Sequence, residues 1–363
     1  VPDGGEVLFT GFPGFIGARL LPRLLELRPQ WRVQCLVQER FLDLARRSRA
    51  ALEAAHPHIG GRLGFVVGDI TRPALGLEPT AAASLRERLV AAYHLAAVYD
   101  LAVSREMGMR VNVEGTREVV RFLQEAPRLE ALHYVSTAYV SGRATGTFRE
   151  TDLDLGQSFK NHYEETKFLA EVEVVKSGLP STIYRPSIVV GDSRTGETAK
   201  FDGPYFVLAA MDRLPSPGVF PRIGSGRHPA DVAPVDFVVE AMARLSTLPG
   251  ARARTYHLTE SAPPSTYEVG RLFARELGKR FLFVPVPARV ARVFFAPRAV
   301  QRFFGMPVQT LDYFDHPCRH DDTQARQDLE PLGLRCPKLV DYVGRLVAFY
   351  RARRGEIRRE AMV

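Results

Sequence analysis

Cysteine is scarce. The 363 residues hold three, Cys35, Cys318 and Cys336, too few and too scattered for a disulfide framework or a zinc site. A reducing compartment follows as the expectation. No stretch approaches the roughly 18 uninterrupted apolar residues of a membrane span. A glycine turn already begins at Gly11, which leaves no room for a signal-peptide core, so the chain reads as cytoplasmic. Lysine is also rare: six of the 49 basic residues, none before Lys160. The net charge of +8 is therefore carried by arginine and spread thinly. With no recognition-helix or single-strand-binding motif, nucleic acid is not an expected partner. Internal repeats and low-complexity tracts are lacking as well. Hydrophobic residues at 45% and charged residues at 25% describe an ordinary globular chain.

What is present is alternation. Short apolar runs at residues 6–10, 32–37, 63–67, 92–95, 131–135 and 181–184 are separated by helical patterns such as 16–28 and 116–125. Near-continuous apolar strands between helices predict repeated βαβ units, with a parallel sheet covered on both faces. Pro22 falls inside the first helix, where a bend is expected. After residue 190 the pattern loosens. Residues 191–221 read as loops with one short helix near 205–211, two strands are expected at 254–259 and 281–286, and a helix at 338–354 precedes a charged tail. The fold expectation is a doubly wound α/β sheet over residues 1–190, with 230–260 returning to it. Residues 191–229 and 261–363 would form a smaller, mainly helical substrate region.

Directly after the first strand stands Gly11-Phe12-Pro13-Gly14-Phe15-Ile16-Gly17, opening into a helix. Glycines here permit a sharp turn, a close approach to a pyrophosphate and tight helix–strand packing. The helix N-terminus adds free N–H groups and the positive end of its dipole. The spacing is one residue wider at its first step than the common dinucleotide fingerprint. The second strand ends in Gln38-Glu39-Arg40. An acid there would favour NAD and a nearby arginine would suit a 2′-phosphate. Arg40, Arg46 and Arg47 tilt the expectation to NADP(H), although they also read as a solvated helix face.

A proton-transfer group is visible further on. Ser136-Thr137 ends a predicted strand, and Tyr163 and Lys167 share one face of a predicted helix at spacing i, i+4. Hydride transfer to a carbonyl needs a proton donor for the developing alkoxide, and a phenol can supply it. A neighbouring ammonium is expected to lower that phenol from about 10 towards 7. Thr137 would hold the carbonyl oxygen beside it.

Together these residues resemble the extended short-chain dehydrogenase/reductase superfamily over about residues 5–260. The likeness includes Gly68-Asp69-Ile70, His94-Leu95-Ala96-Ala97, Asn112 in Val-Asn-Val-Glu-Gly-Thr, and Tyr184-Arg185-Pro186-Ser187-Ile188. It implies that Asp69 and Ile70 flank an adenine, that Leu95, Ala96, Ala97 and Asn112 belong to the cofactor site, and that Pro186, Ser187 and Ile188 lie against a nicotinamide. Thr137, Tyr163 and Lys167 match the catalytic group. Within the superfamily, Val135-Ser136-Thr137-Ala138-Tyr139-Val140, residues 185–196 and Ala233-Pro234-Val235-Asp236 are most similar to the thioester-reductase and fatty acyl-CoA reductase branch. That branch reduces acyl groups held as pantetheine thioesters, free or on a carrier protein, to aldehyde or alcohol. Gln38 departs from the arginine usual in that branch.

Two further readings stand beside reduction. Sugar-nucleotide epimerases and hydroxysteroid-type dehydrogenases use the same three residues, whereas dehydratases need an acid pair where Ala138-Tyr139 stands. A non-catalytic dinucleotide sensor would tend to lose the Tyr or Lys that this chain keeps. The segment 287–306 carries Arg289, Arg292, Arg298 and Arg302 without an acid, and Phe294, Phe295, Phe303 and Phe304. It reads as a core-facing amphipathic helix, or as an acyl-chain lid with arginines for coenzyme A or an acidic carrier, or as a membrane-touching surface. His316-Pro317-Cys318-Arg319-His320 has metal-like composition, but its proline and isolation predict a surface loop and no metal. Asp236 is expected as a helix N-cap. Acyl length, carrier and oligomeric state are not legible in the sequence.

Overall fold

The computed structural model describes residues 4–304 and 306–360. Its strands are β1 (Gly5–Thr10), β2 (Trp31–Val37), β3 (Leu63–Val67), β4 (Leu89–His94), β5 (Ala131–Val135), β6 (Gly146–Phe148), β7 (Ser181–Pro186), β8 (Ile188–Val190), β9 (Gly218–Ile223), β10 (Val232–Pro234), β11 (Thr255–Leu258), β12 (Phe281–Val286) and β13 (Cys318–His320). The helices are α1 (Phe15–Leu27), α2 (Leu42–Ala55), α3 (Pro79–Arg88), α4 (Arg105–Gly108), α5 (Gly115–Gln124), α6 (His162–Lys176), α7 (Pro204–Arg213), α8 (Val235–Leu245), α9 (Thr266–Glu276), α10 (Ala288–Phe295), α11 (Arg298–Phe304), α12 (Thr323–Leu329) and α13 (Leu339–Glu360). A π-helical turn, Met109–Glu114, joins α4 to α5.

Seven strands form one parallel sheet in the order β11-β7-β5-β4-β1-β2-β3. Every residue of β4 and of β5 is buried, because helices cover both faces. Successive residues of β1 serve opposite layers. Val7 and Phe9 join Leu20, Leu21 and Leu24 of α1 and Val238 of α8, while Leu8 joins Val119, Phe122 and Leu132 on the other face. On α5, Thr116, Val119, Val120 and Leu123 are buried, the spacing of a single inward stripe. Strand order reverses between β1 and β4, and a doubly wound sheet opens a ligand crevice at its carboxyl edge there.

A third layer gathers residues from after β7. Tyr205, Leu208 and Met211 of α7 pack with Val269 and Phe273 of α9 and Val343 and Leu346 of α13. Helix α9 starts on a capping box between Ser265 and Glu268. Strand β9 pairs with β12, so the end of the loop-rich stretch is more regular than its composition suggests.

Helix α1 continues through Pro22, which is buried. Three local expectations are corrected. Asp236 lies inside the first turn of α8 rather than at its cap, and its carboxylate accepts bonds from the Ser193 amide (2.8 Å) and hydroxyl (2.6 Å). Residues 287–306 fold as two short helices, and their aromatic faces divide. Phe295 is buried, whereas Phe294 is more than half exposed. The side chain of Phe303 lies outside the described residues. The third correction concerns His316, Cys318 and His320, which are buried because β13 pairs with the distant β6. Helix α13 also absorbs most of the expected tail. Among the described residues, no helix is long and apolar enough to cross a membrane.

Leu21 is fully enclosed between α1 and the sheet. Replacing it with Ala is expected to cost about 3 kcal/mol, read as a lower urea midpoint with an unchanged m-value.

Candidate active site

The crevice begins where β1 stops. The Thr10 hydroxyl lies 2.7 Å from His94 Nδ1 and accepts the Ala96 amide at 3.1 Å, pinning the ends of β1 and β4 together. Gly11 then turns with φ of +91°, and a Cβ there would meet the Ala96 nitrogen at 2.9 Å. A Cβ on Gly17 would meet the Gly11 carbonyl at 2.8 Å, so this glycine lets α1 approach its strand. Gly14 caps α1 without a side-chain hydrogen bond, and the first turn holds no acid. Its amide donors and dipole are left for an anion, which fits a dinucleotide pyrophosphate.

Around the turn a cavity of about 390 Å³ is lined by Gly11, Gly14, Phe15, Ile16, Leu95, Ala96, Ala97, Thr137, Tyr163, Lys167, Pro186, Ser187 and Ile188. Pro13, Gly17, Gln38, Arg40, Asp69, Ile70 and Asn112 are not among its lining residues. Gln38 accepts from Arg40 Nε at 2.8 Å and stands near Asp69, which accepts from the Thr71 amide and hydroxyl, a separate polar group at the ends of β2 and β3. Burial pushes the Asp69 carboxyl up, but the bonds from Thr71 and the nearby Gln38 side chain hold it below the usual range. Ile70 is buried against Gly115. Asn112 is a brace. Its amide accepts the Val98 N–H at 2.8 Å and donates to Thr166 of α6 at 3.0 Å, fastening the loop after β4 to that helix.

Helix α6 starts at Asn161, whose side chain accepts the Glu164 amide. It then turns Tyr163, Lys167 and Glu171 inward at successive i, i+4 steps, all buried. The Tyr163 phenol and the Thr137 side chain both line the cavity, close enough for Thr137 to favour the ionised phenol. Lys167 Nζ donates to the Tyr134 hydroxyl and the Val135 carbonyl, each at 2.8 Å. Glu171 accepts Arg185 through Nη2 at 2.6 Å and Nε at 3.0 Å, and also accepts the Ser136 hydroxyl. The Arg185–Glu171 pair is almost wholly out of water.

The electrostatics differ from the sequence expectation. Burial, with the neighbouring Glu164 carboxylate, pushes the Tyr163 phenol up, and the nearby Thr137 side chain offsets this only in part. Burial brings the Lys167 ammonium down to about 7, against the pull of Glu171. The ammonium faces Tyr134 and Val135 instead of acting on the phenol as a near charge. Tyr163 is thus held as a neutral phenol, the form that donates a proton.

The rest of the wall comes from residues that local pattern does not mark. Tyr99 stands edge-on to Tyr163 with centroids 5.1 Å apart. Lys200 and Asp202 come from the loop before α7, and burial raises the Asp202 carboxyl. Tyr139, Asp231 and Tyr313 line another part of the wall, where the Tyr139 hydroxyl donates to the Asp231 carbonyl at 3.4 Å. Of these, Tyr139 alone lies within a sequence stretch of recognisable type.

Residues 9–242 match the family model described as male sterility protein. The chain belongs to that family. Its relatives include proteins named as reductases, and its fold is that of the extended short-chain type of NAD(P)-dependent reductase. The chain is 28% identical over 288 residues to the nonribosomal peptide synthetase asaC of Aspergillus flavus, covering 74% of this chain and 27% of that protein. It is 26% identical over 272 residues to the fatty acyl-CoA reductase wat of Drosophila melanogaster, covering 65% of this chain and 53% of the fly protein. Thus it spans about a quarter of the synthetase and half of the reductase. Among solved structures, the terminal R domain of the myxalamid PKS-NRPS biosynthetic pathway superposes with a TM-score of 0.84 at 28% identity, over 97% of this chain and 92% of that one. The UDP-glucuronic acid 4-epimerase of Bacillus cereus shares the fold, at TM-score 0.65 and 17% identity, over 95% and 96% of the two chains.

Two outcomes follow for the protein without cofactor. Between about pH 7 and pH 10 the unfolded chain binds the Lys167 proton that the folded chain has lost, so this residue makes stability rise with pH. Relative to Lys167→Met, the wild type should gain up to about 1.4 kcal/mol per pH unit across that window in urea unfolding. Arg185→Leu should cost about 3–5 kcal/mol by stranding the Glu171 charge, and adding Glu171→Leu should recover much of it in a double-mutant cycle.

Proposed function

We propose that this protein reduces an acyl group presented as a pantetheine thioester, on coenzyme A or on a carrier protein, with NADP(H) as cofactor. The observation that carries the reading is the Tyr163–Thr137 pair opening into a cavity whose other walls include Leu101, Val189, Val207, Val269 and Phe314. Such walls suit an acyl chain, and the uncapped start of α1 suits a pyrophosphate. Gly11, Gly14, Phe15 and Ile16 would hold the phosphates, Leu95, Ala96 and Ala97 the adjoining ribose, and Pro186, Ser187 and Ile188 the nicotinamide. Gln38 stands where an acid would select NAD, and Arg40 beside it suits a 2′-phosphate. Residues 1–190 and 230–260 are assigned to the cofactor side, and 191–229 and 261–363 to the substrate side.

When bound, the nicotinamide supplies the hydride that the thioester carbon accepts. Thr137 orients the carbonyl oxygen, and Tyr163 gives that oxygen its proton as negative charge develops. Collapse of the resulting thiohemiacetal breaks the carbon–sulfur bond, leaving aldehyde and free thiol. Lys167, already fixed by Tyr134 and Val135, holds the floor beside the phenol.

NADPH should be consumed in the presence of acyl-CoA or acyl-pantetheine, with free thiol appearing in step. Tyr163→Phe should lower kcat by about 10²–10⁴-fold while the Kd for NADPH, measured by fluorescence, stays within about twofold. Turnover equal to wild type would refute the role of Tyr163. Consumption of no thioester, with isomerisation of a sugar nucleotide instead, would replace the reaction.

A further inference from the structure

One buried group of side chains has no part in this chemistry. Strand β13 pairs with β6 from Cys318↔Gly146 to His320↔Phe148, and alternation turns Cys318 and His320 inward while Arg319 faces solvent. His316, two residues earlier, brings its ring to within 5.8 Å of the His320 ring, centroid to centroid. His316, Cys318 and His320 are 3%, 1% and 4% exposed. A ring nitrogen from each histidine and the thiol sulfur all lie within 4.8 Å of one another.

The histidines are prepared differently. Both ring nitrogens of His316 are buried without a hydrogen-bond partner, although a buried polar atom ordinarily has one. His320 is oriented from behind, its Nδ1 lying 2.7 Å from the Asp231 carboxylate. An N–H donated there leaves the lone pair on Nε2, which lies 3.1 Å from the Ser141 hydroxyl. A carboxylate behind an imidazole is how a ligating histidine is commonly fixed in one tautomer. The nearby cationic groups each face a carboxylate: Lys160 lies 3.3 Å from Glu164, Arg143 3.6 Å from Asp312 and His228 2.9 Å from Asp315.

We propose that His316, Cys318 and His320 form a binding site for a zinc-type transition-metal ion, with the Ser141 hydroxyl or a water as fourth ligand. Two imidazoles and a thiolate are a borderline-soft set that suits zinc and rejects magnesium and calcium. Metal–ligand bonds of about 2.0–2.3 Å place tetrahedral ligands roughly 3.3–3.8 Å apart, so the side chains close by about 1 Å as the ion enters and the thiol proton leaves. The role is structural. Both histidine rings lie 5.6 Å from the ring of Tyr139, and Tyr139 lines the cavity, so the ion braces that wall. Neither the site nor its test depends on the thioester reading.

The 363-residue chain, stripped with a chelator and dialysed against Zn²⁺, should retain one equivalent. Loaded with Co²⁺, it should show a thiolate-to-cobalt charge-transfer band and the visible spectrum of a tetrahedral ion. Cys318→Ser should lose that band and His316→Gln should weaken Zn²⁺ binding at least about tenfold. Cys336→Ser, at a thiol outside the cluster, should keep both. Chelator should lower the Tm of the wild type and leave that of Cys318→Ser unmoved. Failure of the wild type to retain zinc, or a band that persists in Cys318→Ser, would overturn the site. If His316→Gln does not fold, the cysteine variant and the cobalt spectrum decide alone.

Discussion

The buried Arg185–Glu171 pair fixes where everything else stands. Glu171 is on α6, Arg185 on β7, and Ser136 at the end of β5 binds the same carboxylate. Three elements that carry the proposed chemistry are thereby joined at one point below the cavity floor. A charge pair in so dry a place is costly to assemble and costlier to break singly, because each ion without the other has no solvent to fall back on. Its geometric effect is to set the rotation of α6. With Glu171 held, Lys167 and Tyr163 follow one and two turns earlier on the same face, towards the ends of β5 and β7.

Above that anchor both the phenol and the ammonium are buried, and each responds in the direction that keeps it uncharged. The amine spends its hydrogen bonds on Tyr134 and a strand carbonyl, so it is positioned by the sheet itself. A polar brace at Asn112 works alongside it from the other side of α6, through Thr166. Helix α6 is therefore fastened at several heights, which suits the proposed role of Tyr163 in holding reacting atoms within a fraction of an ångström.

Much of this was written locally and could be read locally. The parallel sheet, the glycine turn and the shared face of Tyr163 and Lys167 each depend on residues a few positions apart. What could not be read depends on contacts across long sequence separations. The i, i+4 spacing put the amine near the phenol, but only the fold shows that Tyr134 and Val135 claim it. His316 to His320 looked like a polar surface loop because its strand partner, β6, lies about 170 residues earlier. Asp202 sits among glycines and prolines with no period to betray it. Asp236 looked like a cap because an acid near a helix start usually is one. Here the loop at Ser193 needed its carboxylate more.

The cavity draws its two sides from different parts of the chain. Its floor comes from β5, α6 and β7, two neighbouring strands of the sheet and the helix locked to them. Much of its opposite wall comes from residues 198–207, 229–232 and 310–314, which lie in or beside loops and short elements. Changes of sequence in that wall would leave the anchor beneath the floor untouched. Such a division lets a lineage trade one cargo for another by small steps while the reaction itself is inherited whole.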